Sequence, residues 1–222
     1  MAESGGRDPL LCSRAEKAQR ETSNGVQQLD YLTHLVTELK ISDVRESHVL
    51  QLQQFAVEGI YPCGGTYRDA RTTIKISDSE HVPPAAAFVP IHVQEMLEWI
   101  NDRKRPALER SAYALWRLNW IHPFRGGNGR TSRCIAYLIL CMDLGLMMPG
   151  LPTLPTLIYE RRDDYVAALR AVDASMRVAS SQDEQSQDQV IEPDLSMMSA
   201  FLKDLVLQQL ANAVAKLAAP IH

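Results

Sequence analysis

Apolar side chains recur three or four positions apart along most of this chain, the spacing that lines one face of an α-helix, and the rhythm breaks in only a few places. From Arg14 to Leu39 the stripe is Val26, Leu29, Leu32, Val36 and Leu39, and Asn24-Gly25 is expected to divide that helix or mark its true start. After Ser42 a second pattern places Val49, Leu52, Phe55 and Ala56 on one side and stops at Gly59. Val89, Val93, Met96, Leu97 and Ile100 define a third helix, and Leu108, Ala112, Leu115, Trp116 and Leu118 a fourth. A fifth runs from about Gly127 to Leu144, a turn punctuated by Gly and Pro spans Gly145 to Pro155, and another helix passes through Tyr165, Ala168, Leu169 and Val172. Ser180 to Gln189 reads as a polar loop of low complexity. The closing helix, Leu195 to Leu217, would dock on the core through Met198, Phe201, Leu202, Leu205 and Leu210.

One stretch departs from this rhythm. Tyr61-Pro62-Cys63-Gly64-Gly65 is followed by the β-branched run Thr72-Thr73-Ile74-Lys75-Ile76, the turn residues Ser77-Asp78-Ser79, and Pro83-Pro84. These predict a short β-hairpin, with Gly64-Gly65 as a turn. The expected fold class is therefore mainly α, a helical core with one hairpin ahead of the helices that follow it.

The chain's 222 residues, 45% of them hydrophobic, suffice for one core with flanking elements, and we expect one domain. A net charge of −4, with no basic block longer than Arg161-Arg162, leaves no footprint for nucleic acid or an anionic membrane as partner. The four cysteines (Cys12, Cys63, Cys134, Cys141) lack metal or redox spacing, and two fall in an apolar helical run, which suggests a reducing compartment. No signal segment opens the chain and no apolar run reaches about 18 residues, so a soluble cytoplasmic protein is the default, with a secreted effector left open. His34, His48, His81 and His92 have no spaced partner, so no metal site is expected among them. Trp116 and Trp120 are expected in the core.

The chemistry concentrates in His122-Pro-Phe-Arg-Gly-Gly-Asn-Gly-Arg-Thr-Ser-Arg133. Gly126, Gly127 and Gly129 remove the side chains that would keep a polyphosphate from the backbone, and a helix starting here offers unpaired N–H groups and partial positive charge to an anion. Arg130 and Arg133, three apart, share a helix face and can each grip phosphate oxygens with a forked guanidinium. His122, whose unperturbed pKa is about 6.5, suits a general base beside that site. The N–H groups of Gly127 to Gly129 and the Asn128 amide would act as an anion hole. Phe124 is expected to anchor the loop to the core.

The string resembles the HxFx(D/E)GNGRxxR motif of the Fic family at His122, Phe124, Gly127, Asn128, Gly129, Arg130 and Arg133, with Gly126 where the motif has an acid. The resemblance covers roughly residues 45–175 and implies a Fic-like catalytic domain there. A flanking helix over 1–44, a polar loop over 176–194 and a docked C-terminal helix over 195–222 complete the expected organisation. It also implies that the hairpin is a flap that clamps a target segment by strand addition, through Ile74, Lys75 and Ile76.

Fic enzymes typically move AMP from ATP to a Ser, Thr or Tyr hydroxyl of a target protein, so the resemblance implies a protein adenylyltransferase. In this reading His122, Asn128 and Arg130 are catalytic, while Gly126, Gly127, Asn128, Gly129, Arg130 and Arg133 bind ATP phosphates. The family's acid binds Mg²⁺, and Gly126 supplies no ligand, so any Mg²⁺ is expected to be held mainly through the phosphates and water. Two alternatives stay open: a catalytically weak nucleotide-binding or protein-interaction module of the same fold, and transfer of a different phosphoryl moiety. The family's inhibitory pattern (S/T)xxxE(G/N) has no match, so restraint is expected from a separate inhibitor protein or from nothing.

Overall fold

The structure is a computed structural model that describes residues 10–70, 72, 74, 76, 81–182 and 192–218. Helix α1 (Arg14–Thr33) opens on a reciprocal cap: the Glu16 N–H donates to Ser13 Oγ (3.2 Å) and the Ser13 N–H donates to Glu16 Oε2 (2.8 Å). It runs unbroken through Asn24-Gly25 into a π-helical turn, His34–Glu38. The expected division there does not occur, because Asn24 spends its side chain on a neighbouring helix and not on its own backbone. It is buried and donates to the Glu58 carbonyl (3.0 Å), and Gln28 likewise donates to the Leu52 carbonyl (2.8 Å). Leu32 and Val36 are buried as the stripe predicts, but Val26 and Leu39 face solvent.

The remaining helices are α2 (Glu46–Val57), α3 (Val89–Asn101), α4 (Ala107–Ile121), α5 (Asn128–Leu144), α6 (Leu154–Glu160), α7 (Arg162–Gln182) and α8 (Ser196–Ala218), with a single 3-10 turn, Ala86–Phe88, before α3. Except for α6, which the sequence reading did not separate from the turn before it and the helix after it, their order and approximate limits follow the apolar periodicity. Pro155, expected in the turn after α5, lies instead in the first turn of α6, where its missing N–H costs nothing. The central pairing is α4 against α5; α3 lies on α4, α1 and α5 flank α2, and α8 closes over α4, α6 and α7. One apolar core draws on all eight helices, with Leu32, Leu52, Met96, Trp116, Ile135, Leu157, Val172 and Leu202 among its members.

Among the described residues no strand is present, so the structure does not bear out the hairpin. Thr72, Ile74 and Ile76 are half-buried in irregular backbone, whereas Thr73, Lys75 and the 77–80 turn lie outside the described residues, as does 183–191 of the polar loop. No described helix is long and apolar enough to cross a membrane.

Candidate active site

The loop between α4 and α5 is built around a histidine in an uncommon conformation. His122 follows the last turn of α4 with φ 47° and ψ 58°, a left-handed geometry that its N–H bond to the Leu118 carbonyl (2.9 Å) closes. Few L-residues settle there, although histidine is among the more tolerant, and the Pro that follows disfavours the right-handed alternative. Two side chains from the segment between α2 and α3 complete the turn. The Arg68 Nε donates to the His122 carbonyl (2.8 Å) and its Nη2 to those of Ile121 (3.3 Å) and Pro84 (2.5 Å). The His81 Nε2 lies 2.7 Å from the Trp120 carbonyl and must donate, since a carbonyl only accepts.

The His122 ring is largely buried, and its Nδ1 has no hydrogen-bond partner. Burial, helped by the positive charge of Arg68 and by His81, pushes its pKa down to about 4, with only the Asn119 backbone pulling the other way. The imidazole is therefore neutral at pH 7, the state a general base requires.

After Phe124, which is fully buried and packs on Tyr67, the loop is held from inside. Asn128 Oδ1 accepts from the Phe124 N–H (3.0 Å) and its Nδ2 donates to the Phe124 carbonyl (2.8 Å). The Asn128 amide thus closes the loop on itself. Both polar atoms of the amide expected to face an anion are engaged by loop backbone, while the Asn128 backbone N–H lies at the start of α5. Gln53 of α2, which nothing in the motif signals, donates to the Gly126 carbonyl (3.0 Å) and accepts from the Gly65 N–H (2.6 Å). Gly127 sits at φ 81° with Val57 Cγ1 2.8 Å from the place a Cβ would take, so both conformation and space require glycine. No side chain caps α5, whose first intrahelical bond runs from the Thr131 N–H to the Gly127 carbonyl (2.9 Å). The N–H groups of Asn128, Gly129 and Arg130 lie in the first turn of α5, ahead of its first intrahelical bond.

Both arginines lie at this helix start. Arg133 reaches back until its Nη1 is 3.3 Å from the space a Gly129 Cβ would occupy, has the Tyr159 ring 5.6 Å away, and has no carboxylate partner among the described residues. Arg130 has a buried Nη1 without a hydrogen bond, and its Nη2 is 3.5 Å from Glu21 of α1, a residue that the sequence pattern does not connect to the site. Burial lowers the pKa of both guanidinium groups; Glu21 opposes this at Arg130, and Tyr165 opposes it at Arg133. Two guanidinium groups thus sit in a poorly solvated position with one carboxylate, Glu21, beside them among the described residues.

The residues do not fit a protein-held Mg²⁺. Gly126 offers no side-chain donor, and a Cβ there would lie 2.9 Å from Tyr61 Cε2, so the phenol ring already occupies the direction an acid would take. The nearby carboxylates Glu21 and Asp69 are engaged by Arg130 and Arg125, and no cluster of three or more His, Cys, Asp or Glu suited to a metal occurs among the described residues. Of the expected target clamp, Ile74 and Ile76 are half-buried and Lys75 is outside the described residues.

Residues 43–140 match the family model described as the Fic/DOC family. Protein adenylyltransferase fic-1 of Caenorhabditis briggsae is 34% identical over 100 residues, 44% of this chain and 18% of that protein. Protein adenylyltransferase Fic of Drosophila persimilis is 35% identical over 118 residues, 52% of this chain and 20% of that protein. The chain thus spans about a fifth of the length of these curated relatives. A crystal structure of a Fic domain containing signaling protein from Bacteroides thetaiotaomicron superposes with a TM-score of 0.70 at 18% identity, covering 91% of this chain and 74% of that one. Fic-1 of C. elegans (residues 134–508, E274G) superposes at 0.63 and 20% identity, covering 97% and 54%. At these identities the two structures establish a shared fold.

Proposed function

Because residues 43–140 of this chain match the Fic/DOC family model, we propose that it is a protein adenylyltransferase that moves AMP from ATP to a Ser, Thr or Tyr hydroxyl of a target protein, with His122 as general base. Two observations support this reading: an imidazole at the end of α4 that burial keeps neutral, and, in the first turns of the helix that follows, Arg130 with an unpaired buried Nη1 and Arg133 with no carboxylate partner among the described residues. The target hydroxyl oxygen forms a bond to the α-phosphorus as its proton passes to His122. The bond from the α-phosphorus to the bridging oxygen breaks, and pyrophosphate leaves against Arg130 and Arg133. The free N–H groups of Asn128 to Arg130 face the charge that develops on phosphate oxygens. Any Mg²⁺ arrives with ATP, held by phosphates and water.

Glycine at position 126 favours one alternative, a module of the same fold that binds nucleotide but turns it over weakly. The two separate on label transfer. ATP radiolabelled at the α-phosphate is incubated with lysate and with the purified chain, comparing wild type with His122→Ala. Label in protein that disappears in the variant supports adenylyl transfer. Transfer of γ-label instead would assign a different phosphoryl group, and ATP binding without any transfer would leave the module. Because kcat/KM reports ionisations of the free enzyme, its acid limb is expected near pH 4, where His122 gains its proton, and not near 6.5.

A further inference from the structure

We infer that Arg68 is the positioning residue for His122: one buried guanidinium caps the end of α4, fixes the left-handed turn that carries the imidazole, and ties that turn to Pro84. The inference rests on His122 being the base proposed above. Arg68 is 6% exposed, yet no carboxylate pairs with it among the described residues. Among the described residues its guanidinium donates to carbonyls alone. The last carbonyls of a helix lack intrahelical donors and carry the negative end of its dipole, so a guanidinium placed there is stabilised without a counter-ion. At α4 the terminal carbonyls are shared out in order: Trp120 to His81, then Ile121 and His122 to Arg68.

The geometry exceeds what a helix cap alone requires. The Arg68 backbone N–H also donates to the Pro123 carbonyl (2.9 Å), so residues 121, 122 and 123 all accept from one residue. The third side-chain bond, to Pro84, closes the two ends of segment 68–84 against each other. A left-handed histidine before proline holds a strained backbone, and such a residue stays in place only when its surroundings over-determine it. Arg68 supplies that constraint. A lysine would keep the charge but, as a point donor on a flexible stem, could not span three carbonyls.

The test compares wild type with Arg68→Lys in the full chain, with folding checked by circular dichroism. Two quantities are read: kcat and KM for ATP in the transfer assay, and the Cε1–H resonance of His122 by NMR. The expected result is a kcat lowered about tenfold to a hundredfold with little change in KM, as for a misplaced catalytic group, together with a shifted or broadened His122 resonance. A folded Arg68→Lys with unchanged kcat and an unmoved His122 resonance would overturn the inference. So would a loss expressed only in KM. If the wild type shows no transfer, the proposed activity fails, while the His122 resonance still decides whether Arg68 positions the ring. If the lysine variant does not fold, exchange of the Arg68 Nε proton in wild type decides: strong protection supports the clamp, and exchange as fast as that of a surface arginine refutes it.

Discussion

At the scale of single residues, the glycine at position 126 turns out to be one half of a pair. The ring of Tyr61 lies where a longer side chain would go, so restoring an acid at 126 does not by itself restore a metal ligand. Gly126→Asp alone is expected to leave the affinity for AMP-PNP, measured by calorimetry, no more responsive to Mg²⁺ than in wild type. In Tyr61→Ala/Gly126→Asp, by contrast, Mg²⁺ should tighten binding about tenfold, as a carboxylate reaching a phosphate-bound cation allows. Equal Mg²⁺ responses in the single and double variants would show that the ring is no obstacle. Asn128 and Gln53 make the same point about reading residues singly. Each is a polar side chain whose bonds go to loop backbone and hold the loop in shape.

At the scale of elements, glycines in this chain differ in what they do, and the difference is measurable. Gly25 is exposed inside α1, and a Cβ built on it meets nothing within 4 Å. Gly25→Ala is therefore expected to stabilise the protein by about 0.5–1 kcal/mol, read from urea unfolding, because alanine restricts the unfolded chain at no steric cost. Gly127→Ala should do the opposite, since it combines a positive φ with contact against Val57. A destabilised Gly25→Ala would mean that α1 needs its flexibility. The helices themselves were legible because each carries an apolar face long enough to show its period. The 58–88 segment was not: its β-branched residues suggested strands, but its described part is organised by Gln53, Arg68 and His81 reaching into loops and helix ends, contacts that no period encodes.

For the molecule as a whole, α1 is part of the site and not only a flank. Its Glu21 lies 3.5 Å from Arg130, the residue proposed to hold phosphate. Glu21→Gln is expected to tighten AMP-PNP binding a few-fold at most, because a half-exposed pair contributes about 1 kcal/mol or less. Unchanged or weaker binding would show that Glu21 does not compete with the nucleotide. The effect should shrink as salt is raised, as screening weakens the pair in wild type. Restraint by a separate inhibitor protein remains an independent proposal, tested by whether a co-purifying partner lowers label transfer.

The sequence by itself determined the helical order apart from the short α6, most of the core, and the set of groups at 122–133, because hydrophobic period and local motif are short-range properties written within one or two turns of chain. Tertiary structure alone decided how those groups are used. Glu21, Gln53, Tyr61 and Arg68 lie far from the motif in sequence, and only packing brings a carboxylate to Arg130, a ring over Gly126 and a guanidinium beneath His122. The imidazole's neutrality has the same origin, since desolvation depends on what surrounds a residue in space and not on what neighbours it in the chain.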